Sequence, residues 1–444
     1  MRGATFKGGI HPFDGKDMSK DLPVKKLLPV GEMVFPLSQH IGAPAEPVVE
    51  PGDEVLVGRT IAKAGGFIST DICSSVSGKV KKIEPRLTVS GAMVNSIIIE
   101  NDNKYQTIEG FGTERDYTEL SKEEIREIIK HAGIVGMGGA GFPTHVKLAP
   151  KDDNAIDYIL VNGAECEPYL TSDHRAMLET PNEIIGGLLV LMHIFGLKDG
   201  YIGVENNKTD AITVLEKEAS LVKDKNIHIV TLKTKYPQGA EKQLINAVCG
   251  RKMAPGTLPW QVGCIVNNID TCASTYRAVV KGTPLTTRIV TLGGNALKNS
   301  MNYKVRIGTP FSYVIEQSGG LSEPAEKVLM GGPMMGLSVP NMDVPVIKGT
   351  SGILALPAKE AKLDKESPCI RCAKCVYECP MSLQPNLLDS AARLHDIDKL
   401  KKLNVTDCIE CGSCAFVCPS KRRQVQQIKI AKVKLREIAQ RAKA

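Results

Sequence analysis

Eight of the chain's 13 cysteines crowd into positions 369–418, and they repeat. Cys369-Ile-Arg-Cys372-Ala-Lys-Cys375-Val-Tyr-Glu-Cys379-Pro380 recurs as Cys408-Ile-Glu-Cys411-Gly-Ser-Cys414-Ala-Phe-Val-Cys418-Pro419, each cysteine and the proline displaced by 39 positions. Thiolates with two residues between them turn backbone amides towards inorganic sulfide and wrap three corners of a 4Fe–4S cubane. The fourth cysteine, ahead of proline, lies on the segment that leads to the other cluster. The spacing therefore predicts a first cluster on Cys369, Cys372, Cys375 and Cys418 and a second on Cys408, Cys411, Cys414 and Cys379. Zinc usually takes two C-x₂₋₄-C knuckles; a third cysteine at the same interval, a trailing proline and the doubling all argue against it. Two clusters in one small unit form a one-electron relay, with no hydride chemistry of their own. Such density in a reducing compartment signals metal rather than disulfides. The other cysteines, Cys73, Cys166, Cys249, Cys264 and Cys272, are scattered.

A second chemistry is spelled by glycines and polar loops. Gly136-Met-Gly138-Gly139-Ala-Gly141-Phe142-Pro143 contains G-x-G-x-x-G. A helix precedes it and Phe-Pro follows, so the context of a dinucleotide fingerprint is missing. Four glycines in six residues nonetheless let backbone amides approach a phosphate or a flat ring without interference from Cβ. Three loops follow: Asn162-Gly-Ala164-Glu165-Cys-Glu167-Pro168, Tyr236-Pro-Gln-Gly239-Ala240-Glu241, and Asn267-Asn268-Ile-Asp-Thr271. Any one alone is ordinary helix capping. At the C-terminal edge of an open α/β sheet, the same residues stand where ligands bind.

The elements that must position these groups read as several domains. Residues 31–100 alternate, with turns at Gly52-Asp53 and Ser77-Gly78, as in the two halves of a lipoyl-type barrel sandwich. Phe67 stands at the hairpin tip where a carrier lysine would be, so a swinging-arm role has little support. A helix over 117–134 carries the capping box Ser121/Glu124. Strand 155–161, helix 182–196, strand 201–205, helix 208–223 and strand 227–231 alternate as in a largely parallel sheet. Short strands with one helix near 312–319 fit a β-grasp unit over 288–337. The inter-cluster stretch 385–403 reads as one helix, long enough to pack on another domain.

At 444 residues, 42% hydrophobic and 24% charged, the composition is that of a folded multidomain chain. The longest apolar stretch, 184–197, falls short of the roughly 20 residues a spanning helix needs, and the N-terminus lacks the apolar core of a signal peptide. The expectation is a cytosolic chain unless a partner holds it elsewhere. Residues 421–444 hold nine Lys or Arg and one acid, against a net charge of +7 for the whole chain. The remainder is near neutral, which gives no support to nucleic-acid binding. The tail instead suggests an anionic membrane surface or an acidic partner, with Val425, Ile428, Leu435 and Ile438 close to one helical stripe.

With the four loops in order, the chain resembles the RnfC family of the Rnf ion-translocating electron transport complex, and its flavin part is similar to the FMN- and NADH-binding subunit of respiratory complex I. Gly138-Gly-Ala-Gly-Phe-Pro-Thr144, Asn162 to Pro168, Tyr236 to Glu241 and Val266 to Thr271 carry the likeness, with an N-terminal segment beginning Phe6-Lys-Gly-Gly-Ile-His11-Pro12. The resemblance implies a multidomain α/β protein. Its parts are an N-terminal segment and barrel sandwich (1–112), an FMN/NADH-binding α/β domain (113–286), an SLBB-like β-grasp domain (287–345), a double 4Fe–4S ferredoxin-like domain (360–423) and a basic helical tail (424–444). It implies that Gly136, Gly138, Gly139 and Lys147 hold the FMN phosphate and ribityl chain, and that Asn162, Glu165, Tyr236, Gly239, Asn267, Asn268 and Thr271 complete the flavin site. Phe142 would stack on the nicotinamide nucleotide, with Glu167 and Glu241 at its ribose or ring. Ala164 and Ala240 stand where the complex I pattern has acids. No residue is expected to be catalytic, because hydride transfer needs no protein acid or base. The implied activity is that of the NADH/FMN/iron–sulfur subunit of a ferredoxin:NAD⁺ oxidoreductase, peripheral on the cytoplasmic face of the membrane. It would act with other subunits, and indirectly with a ferredoxin-type carrier. Two alternatives stay open: a soluble cobalamin-reductase-like relative, and a scaffold wiring partners through its clusters alone.

Overall fold

The structure, a computed structural model, describes residues 3–441. At its centre a four-stranded sheet runs Asn226–Leu232, Asp199–Glu205, Tyr158–Gly163, Cys264–Asn268, every neighbouring pair parallel. The first three strands in sequence step one way across the sheet and the fourth returns to the other side of Tyr158–Gly163. The order therefore reverses between Tyr158–Gly163 and Cys264–Asn268, which opens a crevice at their C-terminal ends. Asn268 lies opposite Asn162 in that register, so two of the polar loops leave adjacent strands at the switch point.

The apolar stretch noted above is the helix Pro181–Ile194, buried against the sheet and against Ile269–Val279. Gly187 is needed there, because its Cα lies against the Cys272 backbone with no room for a side chain. No described helix is long and apolar enough to cross a membrane. The helix expected over 117–134 spans only Lys122–His131. Both halves of its capping box form: Glu124 N donates to Ser121 Oγ at 3.3 Å, and Ser121 N to Glu124 Oε2 at 2.8 Å.

The β-grasp sheet reaches beyond 287–345. Its order is Lys25–Leu27, Met301–Arg306, Thr287–Gly293, Gly352–Pro357, Ala325–Met330, Leu337–Ser338, with the helix Phe311–Gln317 beside it. Gly352–Pro357 belongs in the middle because all six of its residues are buried. The barrel sandwich has two antiparallel sheets, one of Glu32–Pro36, Met93–Asn101, Gly78–Leu87 and Glu54–Val55, the other of Ala45–Pro47, Thr60–Ala64 and Ile72–Cys73. Phe67 stands at the tip of the second sheet's hairpin, 80% exposed.

The N-terminal segment is a thread between domains rather than part of the barrel. Ala4 bridges the edge strand at Leu232, Gly9 N donates to the Glu378 carbonyl at 3.0 Å, and Lys25–Leu27 pairs with Met301–Arg306.

Two expectations at the C-terminus are corrected. The 385–403 stretch is two helices, Pro385–Arg393 and Ile397–Lys402, broken where His395 takes a left-handed φ of 54° and Asp396 caps Lys399. They pack on the tail helix Gln424–Arg441 rather than on another domain. Leu388, Ala391, Ile428 and Ala431 share one core, and Ile428 is fully buried. Part of the tail's charge is also spent internally: Arg422 Nε donates to the buried Asp389 at 2.6 Å, and Lys432 Nζ to the Cys408 carbonyl at 2.9 Å. Val425 and Ile428 of the stripe therefore face the cluster domain and Leu435 packs on the same core, whereas Ile438 is exposed. Residues 442–444 of the tail, like residues 1–2, lie outside the described residues.

Candidate functional site

The glycine loop closes on itself, Gly136 N donating to the Phe142 carbonyl at 2.8 Å, and is pinned to the crevice where Met137 N donates to Thr271 Oγ1 at 2.9 Å. Gly138 has no room for a side chain, since a Cβ there would lie 2.9 Å from Asn268 Nδ2. At Gly139 a Cβ would point into open space with no atom within 4 Å. Bare backbone at the mouth of the crevice is thus a cradle that a side chain would fill.

Asn268 caps the helix Ile269–Val279, accepting from Asp270 N at 2.9 Å and Thr271 N at 3.4 Å, and donates through Nδ2 to Asp173 at 2.6 Å. Asn267 is buried, and its Nδ2 has no hydrogen-bond partner among the described residues; nor has either amide atom of buried Gln238 in the neighbouring loop. Buried polar atoms without partners cost free energy unless a ligand or water satisfies them. These atoms and the Gly139 cradle fit a polar, phosphate-bearing flat cofactor.

The remaining polar residues tie the loops together. Asn162 Nδ2 donates to the Gly239 carbonyl at 2.7 Å. Lys147 Nζ donates to Glu241 Oε1 at 2.9 Å and to the Val266 carbonyl at 2.7 Å. Glu165 accepts from Asp173 N at 2.7 Å and lies 3.8 Å from Lys16 Nζ, capping the helix Ser172–Glu179. Burial, reinforced by the Glu165 and Asp270 carboxylates, pushes the Asp173 carboxyl up to about 7. Phe142, half-buried, sits where the loop returns to the helix.

Two residues expected in the crevice are engaged elsewhere. Glu167 turns to the β-grasp domain, accepting from Met334 N at 2.6 Å and Met335 N at 3.0 Å. Burial raises its pKa. Tyr236, 2% exposed, donates its hydroxyl to the Cys411 carbonyl at 2.8 Å. Ala164 is buried beside Gly239, and its carbonyl accepts from Lys208 Nζ at 2.7 Å. Sequence reading missed Lys16 and Lys208. Both are buried lysines beneath the 162–168 loop, and Lys16 donates to the carbonyls of Glu167 and Leu170. An isolated lysine in sequence carries no mark of such a post.

The eight cluster cysteines gather into two clefts of about 300 and 360 Å³, counting space open to solvent. Cys369, Cys372, Cys375 and Cys418 line one; Cys379, Cys408, Cys411 and Cys414 line the other. Cys418 reaches the first trio because Ser367 N donates to the Ser420 carbonyl at 3.0 Å and Ser420 Oγ to the Pro368 carbonyl at 2.9 Å. The repeat extends to the backbone. Arg371 and Ala373 take left-handed φ of 55° and 60°, Glu410 and Gly412 of 59° and 81°, and Arg371 N and Glu410 N each donate to a cysteine sulfur at 3.4 Å. Burial pushes the Cys408 thiol up to about 11 and raises those of Cys414 and Cys379. Iron reverses that preference by deprotonating the thiols it binds. Four sulfurs around each cleft, with amides aimed at them, fit a 4Fe–4S cluster.

The second cleft is the inner one. Besides Tyr236, Gln243 Nε2 donates to the Pro380 carbonyl at 3.0 Å. The first cleft faces outward: Cys369 and Cys372 are exposed, and Ile370 between them is 67% exposed.

Fold and sites together define a flavin- and cluster-bearing electron-transfer protein. Four families match in chain order: the RnfC barrel sandwich hybrid domain over 4–104, the Nuo51 FMN-binding domain over 129–277, the SLBB domain over 289–338 and the 4Fe-4S dicluster domain over 368–422. The chain is 45% identical to the C subunit of a proton-translocating ferredoxin:NAD(+) oxidoreductase complex of Clostridium ljungdahlii, covering 99% of this chain and 96% of that one. It is also 45% identical to the C subunit of a Na(+)-translocating ferredoxin:NAD(+) oxidoreductase complex of Acetobacterium woodii, covering 100% and 99%. The C subunit of an ion-translocating oxidoreductase complex of Rhodobacter capsulatus is 38% identical over 91% of this chain and 78% of its own. Among solved structures, an NAD+-reducing NiFe hydrogenase in its H2-reduced state shares the fold, with TM-score 0.51, 16% identity, and coverage of 71% and 63%. The chain belongs to the RnfC family, whose members serve the Rnf ion-translocating ferredoxin:NAD⁺ oxidoreductase.

Proposed function

We propose that this chain carries electrons between NAD(H) and its partner subunits through one FMN and two 4Fe–4S clusters. FMN would lie in the crevice between the 162–168 and 267–271 loops, and the cluster of Cys379, Cys408, Cys411 and Cys414 would precede that of Cys369, Cys372, Cys375 and Cys418. The observation that carries the order is the Tyr236–Cys411 hydrogen bond, which joins a crevice loop to the second cleft while the first cleft faces out.

Bound there, FMN would supply the exchange between a two-electron hydride donor and one-electron clusters. The amides of Gly138 and Gly139 would receive the phosphate without a Cβ in the way, while Gly136, whose N–H goes to the Phe142 carbonyl, closes the loop that presents them. Asn267 and Gln238 donate to polar atoms of the cofactor. Asn162, Gly239, Asn268 and Thr271 set the width of the crevice. Lys147, on turning to the phosphate, gives up Glu241, which is then free for the nucleotide; Phe142 stacks beside it. Glu165 acts through the helix it caps, Glu167 by holding the 331–336 loop, and Tyr236 through Cys411. No side chain need move a proton for the hydride to pass.

The complex is a membrane assembly, and this subunit joins it peripherally, on the cytoplasmic face in our reading.

The experiment is Cys411→Ser and Cys372→Ser in anaerobically purified protein, with iron, sulfide and flavin counted and NADH titrations followed by EPR. The expected result is that Cys372→Ser leaves an NADH-reducible second cluster, whereas Cys411→Ser bleaches flavin but leaves the first cluster oxidised. Reduction of the first cluster in Cys411→Ser at the wild-type rate would overturn the order.

A further inference from the structure

Two cysteines outside the cluster domain stand together. Cys249 ends the helix Glu241–Cys249, Cys264 opens the strand Cys264–Asn268, and their Sγ atoms are 3.8 Å apart. Cys264 is fully buried; Cys249 is half-buried, and its Sγ donates to the Ile245 carbonyl at 3.1 Å. Arg251 follows, its guanidinium 4.7 Å over the Tyr158 ring and bonded to Asp157 and the Val262 carbonyl. The contact with Cys264, opposed by burial and aided by the Arg251 amide and guanidinium, holds the Cys249 thiol below its ordinary range; its partnership with Cys249, then burial, raises Cys264. A less buried, more acidic thiol beside a fully buried one is the arrangement of an attacking and a resolving cysteine. Bonding requires the sulfurs to close by about 2 Å, within reach of a helix terminus followed by Gly250.

We propose that Cys249 and Cys264 form a reversible disulfide by exchange with small-molecule disulfides of the glutathione class. Cys249 thiolate attacks one sulfur of the small disulfide, breaks its S–S bond and expels one thiolate. Cys264 then loses its proton and attacks Cys249 Sγ, breaking the mixed disulfide and expelling the second thiolate. The protein loses two electrons and two protons, and the small disulfide leaves as two thiols. The new bond would tie the end of the helix beginning at Glu241 to the start of the strand ending at Asn268. Those two elements are already joined at their crevice ends, where Lys147 bonds both Glu241 and the Val266 carbonyl.

The test is peptide mapping of anaerobic holoprotein exposed to oxidised glutathione, then denatured and alkylated without reductant. The expected result is a Cys249–Cys264 linked peptide that dithiothreitol abolishes, with iron content unchanged, and in Cys264→Ser a glutathione adduct that stops on Cys249. Complete alkylation of both cysteines in the wild type would overturn the proposal. So would an adduct that persists on wild-type Cys249 without the cross-link, or a cross-link confined to iron-depleted chains.

Discussion

The Tyr236 hydroxyl donates to the backbone carbonyl of Cys411 at 2.8 Å, in surroundings where the tyrosine is 2% exposed. One side chain thus ties a loop of the flavin domain to a ligand loop of the second cluster. Neutral hydrogen bonds of this kind are worth about 0.5–1.5 kcal/mol net, and more when a buried partner is left unpaired. Tyr236→Phe keeps the packing and orphans the Cys411 carbonyl. We expect the midpoint potential of the second cluster to shift while that of the first stays fixed, with flavin content unchanged. Redox titration by EPR reads this; equal shifts in both clusters would contradict a local effect.

Gly139→Val places a branched side chain in the open space of the cradle. Flavin content of the purified protein should fall by at least tenfold at wild-type iron content. FMN retained at full stoichiometry would place the cofactor elsewhere.

Asp173 sets a pH dependence. Its carboxyl is raised by burial and by Glu165 and Asp270 to about 7, above an unfolded value of about 3.9. A group with a raised folded pKa gives its full stabilisation below the unfolded pKa and loses it as pH rises through the folded one. Asp173→Asn should therefore match wild type near pH 4 and be more stable, by ~1–3 kcal/mol, near pH 8. Thermal melts of the flavin-free protein across that range check the sign, and a variant less stable at pH 8 would contradict it.

Ile428→Ala tests the reassigned tail. Removing a fully buried side chain from the core shared with Leu388 and Ala391 should cost about 2–5 kcal/mol. It should loosen both clusters, measured as faster iron release to a chelator. Ile438→Ala, at a residue 38% exposed on the same helix, should do neither.

The cysteine repeat was the most legible part of the sequence, because ligand spacing is a local code. The same 39-residue offset reappears in the left-handed turns at Ala373 and Gly412 and in the short helices Lys374–Tyr377 and Ser413–Phe416. The four crevice loops were legible as motifs, and parallel strand order brings them to one edge. What spacing could not give is where a side chain spends its polar atoms. Glu167 and Tyr236 looked like ligand groups, yet their partners are Met334 and Cys411, 167 and 175 residues away. Nor could periodicity tell a stripe facing a membrane from one facing its own domain: Val425 and Ile428 would look the same in either case. The break at His395 was hidden because helical spacing of apolar residues continues across it, although Leu394 proves to be 74% exposed.

The thread formed by the first residues has a consequence for how the protein is made. Ala4, Gly9 and Lys25 are synthesised before their partners Leu232, Glu378 and Tyr303, which follow hundreds of residues later. Contacts of such long sequence separation form late, because chain closure must precede them. The thread can therefore fasten in stages, at Leu232 and Tyr303 before the cluster loop holding Glu378 has emerged, and at Gly9 only with that loop. The last of these fastenings uses the loop that also carries Cys379, so a fusion placed before Ala4 should hinder assembly of the second cluster more than one placed after the tail.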